Sequence, residues 1–411
     1  MTASSPPPRA PSLTPPTPVG ILGAGAMGSG IAQVAALAGH RVLLGDAQPS
    51  QLVRARAGIE KALQREVEKR RLDAARAAEV LARITIPIDG AFAQAGLGAY
   101  RDCGLVIEAI VEDLGAKQDA FQRLEEVVGD GAVLATNTSS LSVASIASAC
   151  RRPERVLGVH FFNPAMVMPL VEIVPALQSA PAVAAAARAL VDAWGKTTVV
   201  ALDTPGFIVN RIARPFYGEA LRMLEEGIAD AATIDWAMKE VGGFRMGPFE
   251  LMDLIGHDVN YAVTRSVFDA FYYDPRYRPS ITQKRLVDAR YFGRKSGRGF
   301  YDYTAGAAAP EPTRDRALGE EIFQRTLAML VNEAVDAVFF QVASPGDIEL
   351  AMTKGVSYPK GLLRWGSEVG LPAVLERLTR MQEEYGEDRY RPSPLLRRMV
   401  REGRDFRAEL P

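Results

Sequence analysis

The chain has 411 residues, 48% of them hydrophobic and 24% charged, which is typical of a water-soluble globular protein of two or three domains. Its formal net charge of -1 argues against bulk electrostatic binding to nucleic acid or an anionic membrane, so an anionic ligand requires a local basic site. The two cysteines, Cys103 and Cys150, are too few for a disulfide framework or a metal cluster and suit a reducing compartment such as the cytoplasm.

The first 18 residues are rich in Pro, Ser and Thr, and Arg9 is their only charged side chain. Because they contain no apolar run, we expect a disordered tail rather than a secretory signal or a membrane span. The Arg-rich amphipathic character of a mitochondrial transit peptide is missing as well. No later segment has the uninterrupted apolar length of a transmembrane helix.

A glycine-rich turn follows this tail. The apolar run at 19–22 meets the pattern GAGAMG at 23–28, and a helix-favouring segment comes next. In such a turn Gly23 permits the sharp bend, Gly25 lets the backbone approach a pyrophosphate, and Gly28 lets helix and strand pack closely. The order of strand, glycine turn and helix predicts a dinucleotide site at the helix N-terminus.

An acidic residue after the second predicted strand indicates which dinucleotide is bound. The apolar run at 41–44 leads to Asp46, and 46 − 28 = 18 residues separate this aspartate from the third glycine. A carboxylate at this position accepts hydrogen bonds from the ribose hydroxyls and repels a 2′-phosphate, so NAD is favoured over NADP. The alternative is a glycine turn with an incidental aspartate.

Further apolar runs alternate with helical stretches, which predicts an α/β fold of the Rossmann type over residues 19–202. The predicted later strands are residues 84–88, 105–110, 132–135 and 156–159, with 171–174 and 197–200 as possible continuations. A long, charged segment at about 50–82 predicts a helical hairpin that projects from the sheet. Its basic run Lys69, Arg70 and Arg71 is either a solvated helix face or a contact for the phosphates of an anionic ligand.

Polar residues follow two of these strands, at the sheet edge where open parallel sheets bind ligands. One group is the TNTSS sequence at 136–140, and the other begins with His160. Glu172 lies 172 − 160 = 12 residues further on, within an apolar run, where a carboxylate is costly to bury unless it is paired. The spacing predicts a His–Glu dyad that works as a general base. The alternative is a structural histidine and a solvent-facing glutamate.

Several segments together resemble the L-3-hydroxyacyl-CoA dehydrogenase family, which includes 3-hydroxybutyryl-CoA dehydrogenases. The resemblance extends from about Val19 to Tyr303 in the order of the family's motifs. The segments that carry it are HFFNPAMVMPLVE at 160–172, TNTSSL at 136–141, DTPGFIVNR at 203–211, GPFEL at 247–251 and FGRKSGRGFY at 292–301. Two positions that flank the expected acyl site, Met166 and Pro169, depart from the family pattern and bear on which acyl chain is accepted.

The resemblance implies specific roles for individual residues. It implies that His160 is the general base and Glu172 its partner, and that Ser139 and Asn210 bind the substrate's oxygen. Capping of a helix is the alternative role for Ser139, and an exposed helical position is the alternative for Asn210. The expected NAD contacts are Gly23, Gly25, Ala26, Met27, Gly28, Asp46, Glu112 and Asn137. No metal is expected.

The second half of the chain is predicted to be helical. A helix is expected from Asp203 to about Glu226, with a kink at Pro215 and a stop at Gly227. This domain covers 203–303, and a Pro- and Ala-rich linker is predicted at 304–318.

The pattern of this helical domain then returns in residues 319–411. Glu219, Gly247 and Gly256 each match a residue of the same type 114 positions later, since 333 − 219, 361 − 247 and 370 − 256 all equal 114. A constant offset predicts an all-α C-terminal domain that appears twice. Gln324 stands where Asn210 does in the first copy, so no second active site is expected. The second copy could be an internal pseudo-partner, and a homodimer is the alternative.

NAD-dependent oxidation of an L-3-hydroxyacyl-CoA is the function that these observations favour. One alternative is a related 3-hydroxyacid or sugar-acid dehydrogenase that does not use CoA. Another is a crystallin-like structural protein that binds NAD without turnover. Neither nucleic acid nor a membrane is an expected partner.

Overall fold

The computed structural model describes residues 13–88 and 96–410. The chain divides into two compact units at Thr204 and Pro205, two residues after the boundary predicted from the sequence. Most of the predicted N-terminal tail, residues 1–12, lies outside the described part. Among the described residues, no helix is both long enough and apolar enough to cross a membrane.

The first unit contains an eight-stranded sheet in the order β3-β2-β1-β4-β5-β6-β7-β8. Its strands are β1 Val19–Leu22, β2 Val42–Gly45, β3 Ile84–Thr85, β4 Leu105–Glu108, β5 Val133–Thr136, β6 Val156–Phe161, β7 Leu170–Pro175 and β8 Thr197–Val200. All neighbours pair in parallel except β6 and β7, which are antiparallel. Apart from β3, each predicted strand agrees with the structure to within two residues at either end, so the predicted Rossmann-type fold is confirmed.

The exception, β3, ends three residues before its predicted end at Ile88. Pro87 has no backbone N–H to donate to a neighbouring strand, which explains why the ladder stops early.

Helices connect these strands. They are α1 Ala26–Leu37, α2 Pro49–Glu68, α3 Ala74–Arg83, α4 Leu114–Val127, α5 Val143–Ala147 and α6 Pro181–Ala193, with short 3-10 turns at Gly96–Tyr100 and Pro153–Arg155. The segment predicted as a helical hairpin consists of α2 and α3. Helix α3 begins where the Asp73 carboxylate accepts a hydrogen bond of 2.7 Å from the Arg76 N–H.

The second unit is helical. It contains α7 Val209–Ile212, α8 Arg214–Glu225, α9 Ala231–Trp236, α10 Pro248–Ile255, α11 His257–Ala270, α12 Ile281–Asp288, α13 Arg316–Phe339, α14 Pro345–Leu350, α15 Leu362–Val369, α16 Leu371–Tyr385 and α17 Pro394–Arg401. π-helical turns at Ala237–Val241 and Ala351–Gly355 continue α9 and α14, and 3-10 turns lie at Pro275–Tyr277, Arg294–Ser296, Asp388–Tyr390 and Phe406–Ala408.

The prediction of one kinked helix from Asp203 to Glu226 is wrong. Gly206 and Phe207 have φ angles of +75° and +46°, which no α-helix contains, so the first helix starts only at Val209. Pro215 lies in the first turn of α8, where its missing N–H leaves no hydrogen bond unmade, and the chain therefore forms two helices. The predicted stop at Gly227 agrees with the structure, since this residue has a φ of +71°.

The predicted linker also ends earlier than expected, because α13 begins at Arg316. The Asp315 side chain caps this helix by accepting hydrogen bonds from the N–H groups of Ala317 and Leu318, at 2.8 and 3.2 Å. The second copy of the helical domain therefore starts before residue 319.

The two helical copies share one skeleton. The start of α14 follows that of α9, and the start of α15 follows that of α10, by the predicted offset, since 345 − 231 and 362 − 248 both equal 114. In both copies a π-helical turn follows the earlier helix. Gly256 and Gly370, at matching positions, have φ angles of +99° and +98°.

Ion pairs join the two copies reciprocally. Glu333 of the second copy is buried and accepts hydrogen bonds from Arg211 and Arg276 of the first, at 2.7 and 3.2 Å. Glu219, the matching residue of the first copy, pairs at 3.0 Å with Arg325 of the second, and 325 − 211 again equals 114. The helical copies therefore pack against each other through equivalent residues, as two partners related by a pseudo-twofold axis do.

Candidate active site

The three glycines of the turn after β1 occupy positions with different steric demands. Gly23 has a φ of +106°, and a Cβ there would lie 2.5 Å from the carbonyl oxygen of Ala109 on the neighbouring chain segment. A Cβ on Gly28 would lie 1.8 Å from the carbonyl oxygen of Gly23. Gly25, by contrast, has nothing within 4 Å of such a Cβ. The first and third glycines therefore allow close packing, and the second borders open space at the start of α1.

The N-terminus of α1 is suited to an anion. The helix begins at Ala26, no side chain caps it, and its first turn has no acidic residue. The N–H groups of its first turn, including those of Ala26 and Met27, are therefore available to phosphate oxygens, and the helix dipole favours negative charge at this end.

Asp46 follows β2 at the same edge of the sheet. Its two carboxylate oxygens accept hydrogen bonds of 2.8 Å from the N–H groups of Ala24 and Gln48. Each oxygen retains a lone pair for a further donor, such as a ribose hydroxyl. Gly25 and Asp46 line a cavity of about 770 Å³ whose walls also include the apolar residues Leu52 and Ile110. The open glycine, the uncapped helix and the placed carboxylate fit NAD.

Glu112 supports the turn that carries Ser139. Its Oε1 accepts hydrogen bonds from the Thr138 hydroxyl at 2.5 Å and from the N–H groups of Ser139 and Ser140 at 3.0 and 3.2 Å. Burial opposes ionisation of this carboxyl, but Lys117 and the hydrogen bonds outweigh it and lower the pKa of Glu112. The structure therefore gives Glu112 a role within the chain in addition to the predicted cofactor contact.

A buried ion pair beneath this turn was missed by the sequence analysis. The Lys117 ammonium lies 2.6 Å from Glu108 and 3.3 Å from Glu112, and both Lys117 and Glu108 are buried. Glu108 also accepts a hydrogen bond of 2.8 Å from the Thr136 hydroxyl at the end of β5. The signal was present, because Glu108 is a carboxylate within an apolar strand, as Glu172 is.

The structure also places the two predicted polar residues between β5 and α5. The Ser139 side chain is half-buried, and its hydroxyl has no hydrogen-bond partner within the described part of the chain. Helix capping does not explain Ser139, because the cap of α5 is Ser142, which accepts a hydrogen bond from the Ser145 N–H. Asn137 uses its side-chain oxygen to accept a bond of 2.8 Å from the Phe161 N–H, which ties the ends of β5 and β6 together.

His160 and Glu172 lie together, as their spacing predicts. The antiparallel pairing of β6 and β7 places the two residues directly opposite each other, and Nδ1 of the imidazole lies 2.7 Å from Oε2 of the carboxylate. His160 is 5% exposed and Glu172 is fully buried, so the alternative of a solvent-facing glutamate is wrong. A neutral imidazole that donates its Nδ1–H to this carboxylate has Nε2 as its basic nitrogen.

The loop between β6 and β7 carries the two positions that depart from the family pattern, Met166 and Pro169. Lys196, just before β8, donates hydrogen bonds from its ammonium group to the carbonyl oxygens of Ala165 and Met168, at 2.6 and 2.9 Å. Burial lowers the pKa of Lys196. These two hydrogen bonds tether the loop that follows His160.

The remaining predicted site residues lie elsewhere. Lys69, Arg70 and Arg71 are exposed in the turn between α2 and α3, and Arg71 lies 3.7 Å from Glu66. Asn210 is half-buried on α7 of the second unit, and its carbonyl oxygen accepts a hydrogen bond from Arg214. The predicted site residues at the ends of β1, β2, β5 and β6 thus lie at one edge of the sheet, whereas the three basic residues lie in the turn between α2 and α3 and Asn210 lies in the second unit.

A sheet with this glycine turn, acidic residue and uncapped helix defines a dinucleotide-binding domain. The family model for the NAD-binding domain of 3-hydroxyacyl-CoA dehydrogenase matches residues 18–204. The model for the C-terminal domain of the same family matches twice, at residues 206–303 and 322–409. The chain belongs to the 3-hydroxyacyl-CoA dehydrogenase family. It is an NAD-dependent oxidoreductase with a duplicated C-terminal domain.

Individual relatives are similar over most of their length. A 3-hydroxyadipyl-CoA dehydrogenase of Escherichia coli (strain K12) is 39% identical over 92% of this chain and 96% of its own. A 3-hydroxybutyryl-CoA dehydrogenase of Bradyrhizobium diazoefficiens is 40% identical over 72% of this chain and 98% of its own. The crystal structure of a 3-hydroxybutyryl-CoA dehydrogenase from Escherichia coli K12 has a TM-score of 0.88 and 37% identity, and covers 94% of this chain and 99% of that one.

Proposed function

We propose that this chain oxidises the 3-hydroxyl group of an L-3-hydroxyacyl-CoA to a ketone, with His160 as the general base and Glu172 as the residue that orients it. The observation that carries this proposal is the buried contact of 2.7 Å between the two side chains at the carboxyl end of β6. Ligands bind at this edge of an open parallel sheet, so the base is at the expected place.

The buried carboxylate gives His160 its chemistry. With the Nδ1 proton held by Glu172, Nε2 accepts the proton of the substrate hydroxyl, and the carboxylate stabilises the imidazolium that results. When bound, NAD would supply the acceptor for the hydride that leaves C3 of the substrate. The groups of this chain that would hold NAD are the N–H groups at the start of α1 and the Asp46 carboxylate.

Ser139 is the proposed donor to the C3 oxygen as it becomes a carbonyl. Its backbone N–H is held by Glu112, which is held in turn by the buried Lys117, so the turn is fixed before a substrate binds. Asn210 is the second proposed contact of that oxygen, on the basis of the family resemblance.

The exposed cations Lys69, Arg70 and Arg71 are the proposed contacts for the CoA phosphates. Arg71 forms an ion pair of 3.7 Å with Glu66, whereas Lys69 and Arg70 form none within the described part of the chain, and all three side chains are exposed and can meet an anionic ligand. The similar proteins are named for acyl groups of different kinds, butyryl and adipyl, and we extend to this chain the short 3-hydroxyacyl thioester that the two share.

The test follows NADH formation by the purified chain with NAD and 3-hydroxybutyryl-CoA, in the wild type and in His160→Ala. Loss of the general base should lower the rate by about a hundredfold to ten-thousandfold. The matched control is His257→Ala, which removes a buried histidine that also pairs with a carboxylate at 2.7 Å, in the second unit. At a temperature where both variants are folded, only the His160 variant should lose turnover.

Other outcomes identify the alternative functions. Turnover of free 3-hydroxy acids but not of thioesters would favour a dehydrogenase that does not use CoA. Binding of NAD without turnover of either substrate would favour a structural protein.

A further inference from the structure

The β6–β7 loop, residues 162–169, follows the strand that carries His160. Its internal main-chain hydrogen bonds, from the N–H groups of Val167 and Met168 to the Pro164 carbonyl oxygen, are 2.9 and 3.0 Å long. Both bonds lie in the middle of the loop, so they shape its turn but do not fix its position on the first unit. That position is set by contacts with neighbouring elements.

Lys196, just before β8, holds the middle of this loop. Its ammonium group donates hydrogen bonds to the carbonyl oxygens of Ala165 and Met168, at 2.6 and 2.9 Å. The side chain is half-buried, and burial lowers its pKa because an ammonium group loses hydration there. Such a group is costly to bury unless its N–H groups have acceptors, and two of them are used to bind the loop.

The loop that Lys196 holds contacts two parts of the proposed site. Its first residue, Phe162, packs against the His160 ring, with 4.5 Å between the ring centroids and 54° between the ring planes. Its Ala165 side chain is buried and faces α1, where a Cβ on Gly30 would lie 3.1 Å from the Ala165 Cβ. The loop therefore contacts both the imidazole and the helix whose N-terminus would hold the NAD phosphates.

We propose that Lys196 is a positioning residue for His160: by holding the β6–β7 loop, it keeps Phe162 against the imidazole and so fixes the direction of Nε2. This inference rests on the proposed function, in which Nε2 accepts the substrate's proton. Glu172 binds the ring at Nδ1, and a single hydrogen bond leaves the tilt of the ring to be set by packing. The tilt matters because a misplacement of about 1 Å can lower a rate by about a hundredfold.

The experiment measures kcat and KM with NAD and 3-hydroxybutyryl-CoA for the wild type, Lys196→Met and Lys196→Arg, at a temperature where circular dichroism shows all three folded. Methionine keeps the length of the side chain but has no N–H group to donate. In Lys196→Met, kcat should fall by about tenfold to a hundredfold, with both KM values within about threefold of the wild type. Lys196→Arg should recover part of this loss, because a guanidinium can donate to two carbonyl oxygens.

The matched control is Arg155→Met, at the other end of β6. Arg155 is a buried cation just before this strand, and it donates hydrogen bonds to the carbonyl oxygens of Gly129 and Glu125, at 2.9 and 3.3 Å. It thus binds main-chain carbonyls as Lys196 does, but at the amino end of the strand. Its loss should lower the free energy of unfolding and leave the kcat of the folded variant unchanged.

A second variant, Gly30→Ala, reaches the same loop from α1 without removing a hydrogen bond. The added methyl group would lie 3.1 Å from the Ala165 Cβ, so Ala165 must move by a few tenths of an ångström. We expect kcat to fall by about threefold to tenfold. The control is Gly58→Ala on α2, where a Cβ has nothing within 4 Å. Alanine is favoured over glycine in helices, so neither change should lower stability through helix propensity.

The results that overturn the inference differ from those that overturn the proposed function. A kcat of folded Lys196→Met within about threefold of the wild type, an equal fall of kcat in Arg155→Met, or no recovery in Lys196→Arg excludes the positioning role alone. If Lys196→Met does not fold, equal kcat values for Gly30→Ala and Gly58→Ala exclude it instead. Failure of the wild type to reduce NAD with 3-hydroxybutyryl-CoA excludes the proposed function itself.

Discussion

Two buried histidine–carboxylate pairs in this chain have the same separation and different surroundings. In the first unit, His160 Nδ1 lies 2.7 Å from Glu172, and in the second unit His257 Nε2 lies 2.7 Å from Asp253. The first pair joins two antiparallel strands at the ligand-binding edge of the sheet, whereas the second joins residues four apart in the helical unit. Burial and distance alone therefore do not distinguish the proposed catalytic base from a structural histidine.

Further groups of the chain contact the polar atoms of the second pair. Asp253 also accepts hydrogen bonds of 3.0 Å from the N–H groups of Phe300 and Tyr301. The remaining ring nitrogen of His257, Nδ1, lies 3.4 Å from the side-chain amide of Gln283. A ring whose two nitrogens both face groups of the chain has no nitrogen for a substrate proton, so this pair stabilises the fold.

The largest effect is expected for Glu172→Gln. A glutamine amide can donate to Nδ1 and so favour the tautomer with the proton on Nε2, which cannot accept the substrate's proton. It also does not stabilise the imidazolium. We expect kcat/KM for 3-hydroxybutyryl-CoA to fall by about a hundredfold to ten-thousandfold, measured by NADH formation. If Glu172→Gln turned over substrate at a rate close to that of the wild type, the His160–Glu172 pair would not be catalytic and would not differ in role from the His257–Asp253 pair.

Asp253→Asn should lower the stability of the chain and leave its catalytic rate unchanged. One carboxylate oxygen becomes an amide nitrogen, which cannot accept a hydrogen bond, so one of the two backbone hydrogen bonds is lost and the charge that pairs with His257 is removed. The free energy of unfolding should therefore fall by about 3 kcal/mol. Thermal unfolding followed by circular dichroism measures this loss. At a temperature where the variant is folded, its kcat should match that of the wild type. A loss of kcat in the folded variant would mean that the second pair also contributes to catalysis.

The sequence was sufficient to predict one of these pairs for a physical reason. Glu172 interrupts an apolar run twelve residues after His160, and a strand hairpin of that length brings the two together. The same reasoning applied to Glu108 would have predicted a buried partner, but the partner, Lys117, is on the following helix. Which cation reaches such a carboxylate depends on helix packing that periodicity does not reveal.

In the helical unit, too, the sequence predicts the architecture but not which charged residues pair. A constant offset of 114 residues was enough to predict the duplication, and the start of α14 and α15 at that offset agrees with it. The offset is the same whether Glu333 pairs with an arginine of its own copy or of the other one. The structure shows the second arrangement, with Arg211 on Glu333, and only tertiary packing determines that choice.

The smallest effect is expected for Gln283→Met, which tests the second ring nitrogen of His257. Methionine keeps the length of the side chain but removes the donor to His257 Nδ1 and to the Asn260 side-chain oxygen, at 3.4 and 3.0 Å. The free energy of unfolding should fall by about 1 kcal/mol, with kcat/KM unchanged. Lys284→Met, an exposed change on the same helix, is the control and should alter neither quantity. If Gln283→Met lowered kcat/KM while Lys284→Met did not, His257 would be linked to the reaction and would not be a purely structural histidine.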